Sequence, residues 1–122
     1  MAMYDEKIQL NVATDTIESF VICLALGTLQ AIRQGTFHPD VGIWTIGRPN
    51  FWSLLEEKKL VSPEVLTVLQ TGDEISAIEA LGGSEEQMTA MIDRLITELE
   101  TALNNLTTVR EQSWYAHWNK DE

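Results

Sequence analysis

Ser84-Glu85-Glu86-Gln87, followed by Met88, Ile92, Leu95, Leu99, Ala102, Leu106 and Val109, is the stretch that decides the fold. A serine three residues ahead of a glutamine is a capping box, in which each side chain satisfies the other's free backbone N–H. The apolar residues behind it step by four and three alternately, which gathers them on one stripe of a helix. Continued to Trp114, that helix would run ~45 Å, longer than a compact domain of this size is wide. Its far end, residues 99–118, is therefore expected to overhang or to pair with a second copy, a homodimer that would bury Leu103, Leu106, Trp114 and Trp118. Asn104 and Asn105 beside the seam weigh against that pairing.

A stripe needs a surface to pack on, and residues 15–34 supply it. Thr14, Asp15 and Thr16 can cap a helix, and Gly35 is placed to stop one. Between them, Ile17, Phe20, Val21, Leu24, Ala31 and Ile32 keep helical spacing while Ile22, Cys23, Leu26 and Leu29 cover much of the other side. A helix apolar nearly all round is predicted to be buried. On that reading Cys23 is an inert core thiol, and Gly27 marks the close approach of another helix.

The remaining segments read as shorter helices. Pro39 opens one that Gly47 ends, a reading favoured over a strand for residues 41–46, and Pro49 or Asn50 opens another carrying Phe51, Trp52, Leu54 and Leu55 inward. Ser62-Pro63-Glu64 is a strong helix start, and Gly72 is expected to stop that helix before Asp73 caps the next, which ends at Gly82-Gly83. Residues 7–13 alternate polar and apolar and fit either a strand or an N-terminal arm. The expectation is thus all-α: one domain over residues 1–122, five or six helices with a buried first long helix and a long C-terminal one. Residues 1–13 form an arm or short strand, and residues 110–122 an extended or frayed end.

Charge narrows the partners. Eight Lys and Arg against nineteen Asp and Glu give a net charge of −11 over 122 residues. Such a surface disfavours nucleic acid and anionic membranes and favours a basic protein or peptide. Residues 64–100 concentrate it, with nine acids and the single base Arg94. One cysteine allows no intramolecular disulfide, and the opening residues lack the pattern of a signal peptide, so a cytoplasmic location is expected.

Catalytic signatures are missing. His38, His117 and Cys23 show no metal-ligand spacing, and no phosphate loop, dinucleotide fingerprint or nucleophile elbow is present, so neither metal nor cofactor is expected. His117 reads as a surface residue at a helix C-terminus. Trp44, Arg48 and Trp52, spaced by four, could stack a guanidinium between two indoles, although Pro49 interrupts a helix through them. The candidate partner-binding residues are therefore Asp73, Glu74, Glu79, Glu85 and Glu86 for charge, with Trp114 and Trp118 as apolar anchors. Acids in the first turn of a helix also serve its dipole, and acidity also serves solubility.

Leu26-Gly27-x-Leu29-x-Ala31-Ile32 with Gly35, then Gly47-Arg48-Pro49 with Leu54, then Gly72-Asp73-Glu74-Ile75 with Ala77-Ile78, is similar to a family of small uncharacterised bacterial proteins of about this length. The resemblance covers residues 17–100 and implies a helical fold with no assigned active site. The resulting expectation is a non-catalytic acidic binding module, an adaptor or assembly chaperone holding a basic segment, for instance of a microcompartment shell protein. The alternatives are an immunity protein that neutralises a basic toxin and an enzyme with a carboxylate-based site; a deep pocket holding buried carboxylates from residues 73–86, or His38 beside Asp40 and a third group, would favour the enzyme.

Overall fold

The structure is a computed structural model that describes residues 7–40, 46–106 and 116–120. In chain order it contains strand β1 (Ile8–Val12), a 3-10 turn (Thr14–Thr16), helices α1 (Ile17–Arg33), α2 (Pro49–Glu57), α3 (Pro63–Ala80) and α4 (Glu85–Asn104), and strand β2 (Ala116–Lys120). The chain is mostly helical, as expected; the described residues hold four helices, where five or six were expected, and a two-stranded antiparallel ribbon. Pro39 and Asp40 are helical, and residues 41–45, which carry the rest of the short helix expected there, lie outside the described residues.

The helix count falls because α3 runs straight through Gly72 and Asp73. Glycine ends a helix when it takes a left-handed φ, and among the described residues the glycines that do so are Gly35 and Gly82, both at φ +79°. Gly72 serves a different need: a Cβ on it would lie 3.3 Å from the Cα of Gly47. Two backbones therefore meet where the sequence suggests a stop.

Three helix ends close in the same way. After α1, the Thr36 N–H donates to the Ala31 carbonyl and the Gly35 N–H to that of Ile32. After α3, the Gly83 N–H donates to Ile78 O at 2.7 Å. After α2 the left-handed position is held by Lys59, at φ 54°, while the Leu60 N–H donates to Leu55 O. These are Schellman closures, which satisfy carbonyls that the helix end leaves open. At the start of α4 the expected capping box is present in both directions, Gln87 N–H to Ser84 Oγ at 3.1 Å and Ser84 N–H to Gln87 Oε1 at 2.8 Å.

Helix α4 packs against both α1 and α3, and α2 packs on α3. The predicted stripe faces this core: Ile92, Leu95 and Leu99 are buried, joined by Ile96, with Met88, Ala102 and Leu106 half-buried. Val109 lies outside the described residues. Helix α4 ends at Asn104 and its stripe is covered by its own domain; residues 107–115, through which the helix was expected to continue toward residue 118, lie outside the described residues. Near one end of the α1–α4 contact, Arg33 Nε donates to Asp93 Oδ1 at 2.9 Å.

Helix α1 departs from the expectation of burial on all sides. It sends Val21, Ile22, Ala25, Leu29 and Ile32 into the core with Ser19 and Thr28, while Cys23, Leu24 and Gly27 face outward. A Cβ on Gly27 would meet nothing within 4 Å, so this glycine accommodates no neighbouring helix within the described structure. The ribbon is the second departure. Residues 8–12 are a strand, and its partner is the aromatic tail read as a helical end: Leu10 pairs with Trp118, Asn11 with His117. His117 thus lies in strand β2.

Candidate functional site

The sequence singles out acids around the α3–α4 turn. Glu74 on α3 and Glu85 and Glu86 in the first turn of α4 are exposed. Glu85 and Glu86 edge a shallow concavity of about 590 Å³ shared with Ser84, Thr89, Ala90 and Asp93. The side chains of Asp73 and Glu79, and the whole of Trp114 and Trp44, lie outside the described residues. Trp118 is 70% exposed, but on the ribbon that leads into the start of α1. The start of α1 lies beside the end of α4, since Glu18 shares a groove with Asn105 and Leu106. The acids at the start of α4 and this groove therefore sit at opposite ends of a helix about 30 Å long. The structure thus places the described acids of the expected site on α3 and α4 and Trp118 on the ribbon.

It also assembles another acidic site. A groove of about 710 Å³ is lined by Glu18 from α1, Ser62, Glu64 and Thr67 from the start of α3, and Thr97, Glu98, Thr101, Ala102, Asn105 and Leu106 from the last turns of α4. Glu18 and Glu64 are each the second residue of their helix, where the N-terminal dipole favours a carboxylate. One oxygen of Glu18 is fixed by the Ser62 N–H at 2.6 Å, which holds the carboxylate at the groove wall. Glu98 stands 3.8 Å from Arg94 in an exposed pairing that contributes little and can be exchanged for another cation. No lysine or arginine lines the groove among the described residues.

The chemistry of this lining is one-sided. Three carboxylates, with threonine hydroxyls and an asparagine amide between them, accept hydrogen bonds from an ammonium or guanidinium and repel phosphate. Half-buried Ala102 and Leu106 give the aliphatic stem of a lysine or arginine something to lie against. Among the described residues, no three His, Cys, Asp or Glu side chains are grouped closely enough to hold a metal ion. Glu64 and Glu98 fall inside the acid-rich segment noted in the sequence; Glu18 does not, and only the packing of α1 on α4 adds it.

A second polar cluster joins His38, Asp40 and Ser76. The Asp40 N–H donates to His38 Nδ1 at 3.1 Å, and the hydroxyl of Ser76 on α3 donates to Asp40 Oδ1. This is the third group that would favour catalysis, but in the wrong order. Nucleophilic catalysis needs the serine proton to pass to the imidazole, with the carboxylate behind it. Here the carboxylate receives the serine, and His38 and Asp40 side chains are each more than half exposed.

Around Trp52 the described structure shows a local tie: its Nε1–H donates to Gly47 O at 3.2 Å. Cys23, expected in the core, is exposed on the outer face of α1, where partial burial still pushes its thiol pKa above the ordinary value. No family model, curated protein or solved structure matches the chain.

Proposed function

We propose that this protein is a non-catalytic acidic binding module that takes up a basic segment of a partner protein in the groove between the start of α1, the start of α3 and the end of α4. The observation that carries the reading is the convergence of Glu18, Glu64 and Glu98 on one groove with no cation among its described lining residues. A lysine or arginine side chain would lay its stem on Ala102 and Leu106 and its charge among the glutamates. Glu74, Glu85 and Glu86, exposed at the other end of the bundle, would contribute to the field that speeds encounter rather than to the contact itself.

A module of this kind acts as an adaptor or an assembly chaperone, shielding a basic tail until its destination is reached; the basic tail of a microcompartment shell protein is one such client. The reading is tested by titrating a lysine-rich amphipathic peptide at low and high salt. Glu18→Gln, Glu64→Gln and Glu98→Gln together should weaken binding more than charge reversal at Glu74, Glu85 and Glu86. If neither set changes the affinity, the acids serve solubility alone and the binding reading is dropped.

A further inference from the structure

Two threonines of the acidic groove have their hydroxyl protons already committed. Thr67 Oγ1 donates to Pro63 O and Thr97 Oγ1 to Asp93 O, both at 2.9 Å. A hydroxyl has one proton, and with it held by a carbonyl four residues back, each threonine can offer a ligand only lone pairs. One stands on α3, a turn beyond Glu64, and the other on α4, next to Glu98. Glu18 adds a further acceptor, because the Ser62 N–H occupies Oε2 and leaves Oε1. Ser62 itself, whose oxygen takes the Val65 N–H at 3.4 Å, keeps a proton to donate. The described lining residues include no aromatic side chain.

We infer, on the reading that the groove takes up a basic segment, that it selects the cation by its N–H donors as well as by its charge, and that Thr67 and Thr97 set this choice. A lysine ammonium carries three N–H donors and no acceptor, so it can bond to a glutamate and a locked threonine oxygen together. A quaternary ammonium has the same charge and no N–H; it is recognised by aromatic faces, which the described lining lacks. At about 710 Å³ the groove has room for three methyl groups, so size does not separate the two cations. The helix poles draw the cation toward α4. Glu18 and Glu64 answer the positive poles of α1 and α3 from their first turns, whereas the last turn of α4 contains no base to meet its negative pole.

Two peptides of one lysine-rich amphipathic sequence test this by calorimetric titration at low salt. One carries free lysines and the other ε-trimethyllysine at every lysine, so charge is equal and the N–H donors differ. The free-lysine peptide should bind about fivefold more tightly, or better. Thr67→Val with Thr97→Val removes both hydroxyls at nearly the same shape and should bring the ratio of the two affinities toward one. Thr67→Ser with Thr97→Ser keeps the hydroxyls and should preserve the ratio. If circular dichroism shows the valine pair unfolded, Thr67→Ala with Thr97→Ala, favourable inside a helix, takes its place. Equal affinity of the wild type for both peptides, or tighter binding of the trimethylated one, overturns the inference while the acidic groove remains a binding site. A ratio that survives loss of both hydroxyls overturns the role of the threonines. Binding of neither peptide overturns the binding reading itself, and the inference with it.

Discussion

The backbone N–H of Ser62 donates to Glu18 Oε2 at 2.6 Å, across 44 residues of sequence, and so ties the first turn of α1 to the start of α3. The carboxylate takes the role that a glutamate or glutamine at the third helical position plays in a capping box, a position held here by Val65, whose own N–H donates to Ser62 Oγ at 3.4 Å. The Glu18 side chain also walls the acidic groove.

That double use can be separated. Glu18→Gln retains an oxygen to accept the Ser62 N–H but removes the charge, so it should leave stability within about 0.5 kcal/mol while weakening binding of a basic peptide. Glu18→Ala removes both and should cost about 1–2 kcal/mol in chemical denaturation. A large loss of stability with the glutamine variant would show that the charge, rather than the acceptor, matters to the fold.

Core substitutions should split by face. Leu95 is 1% exposed against α1 and α3, and Leu95→Ala should cost ~2–5 kcal/mol. Leu24→Ala, on the outer face of α1, should cost under about 1 kcal/mol in the monomer. Equal losses at the two positions would contradict the placement of α1 on its side.

The helix ends predict opposite signs for two glycine exchanges. A Cβ on Gly83 would lie 2.5 Å from Ile78 Cγ2 and 2.8 Å from Ile78 O, so Gly83→Ala must open the α3–α4 turn and should lower the melting temperature. Lys59 holds a left-handed φ of 54°, which costs a side-chain-bearing residue roughly 1 kcal/mol, so Lys59→Gly should raise stability by up to about that amount. A destabilised Lys59→Gly variant would mean that the lysine side chain makes a compensating contact.

Cys23 should alkylate in the folded protein, because it is exposed. Its thiol pKa is raised by partial burial, so at pH 8 it holds less thiolate than a free cysteine and should react more slowly, with the gap closing as pH rises through the raised value. Iodoacetamide rates on native and unfolded protein measure this directly. A native rate equal to or above the unfolded one would contradict the shift.

Whatever depended on neighbours in the chain was legible. The capping box at Ser84, the stripe through Ile92, Leu95 and Leu99, the helix stops at Gly35 and Gly82 and the acidity of residues 64–100 are all local facts, set by spacing and backbone preference, and they determined a mostly helical, acidic domain. What depended on residues far apart was not. Gly72 looked like a stop because glycine permits a left-handed turn, and only the approach of Gly47 shows that it answers a demand for space. Residues 116–120 kept aromatic spacing compatible with a helix until β1 offered a strand to pair with. Burial of α1 could not be read from its composition, because hydropathy says which side chains gain from leaving water but not how many neighbours the fold supplies to cover them. The acidic groove is of the same kind: Glu18, Glu64 and Glu98 belong to three helices, and their meeting is a property of helix packing alone.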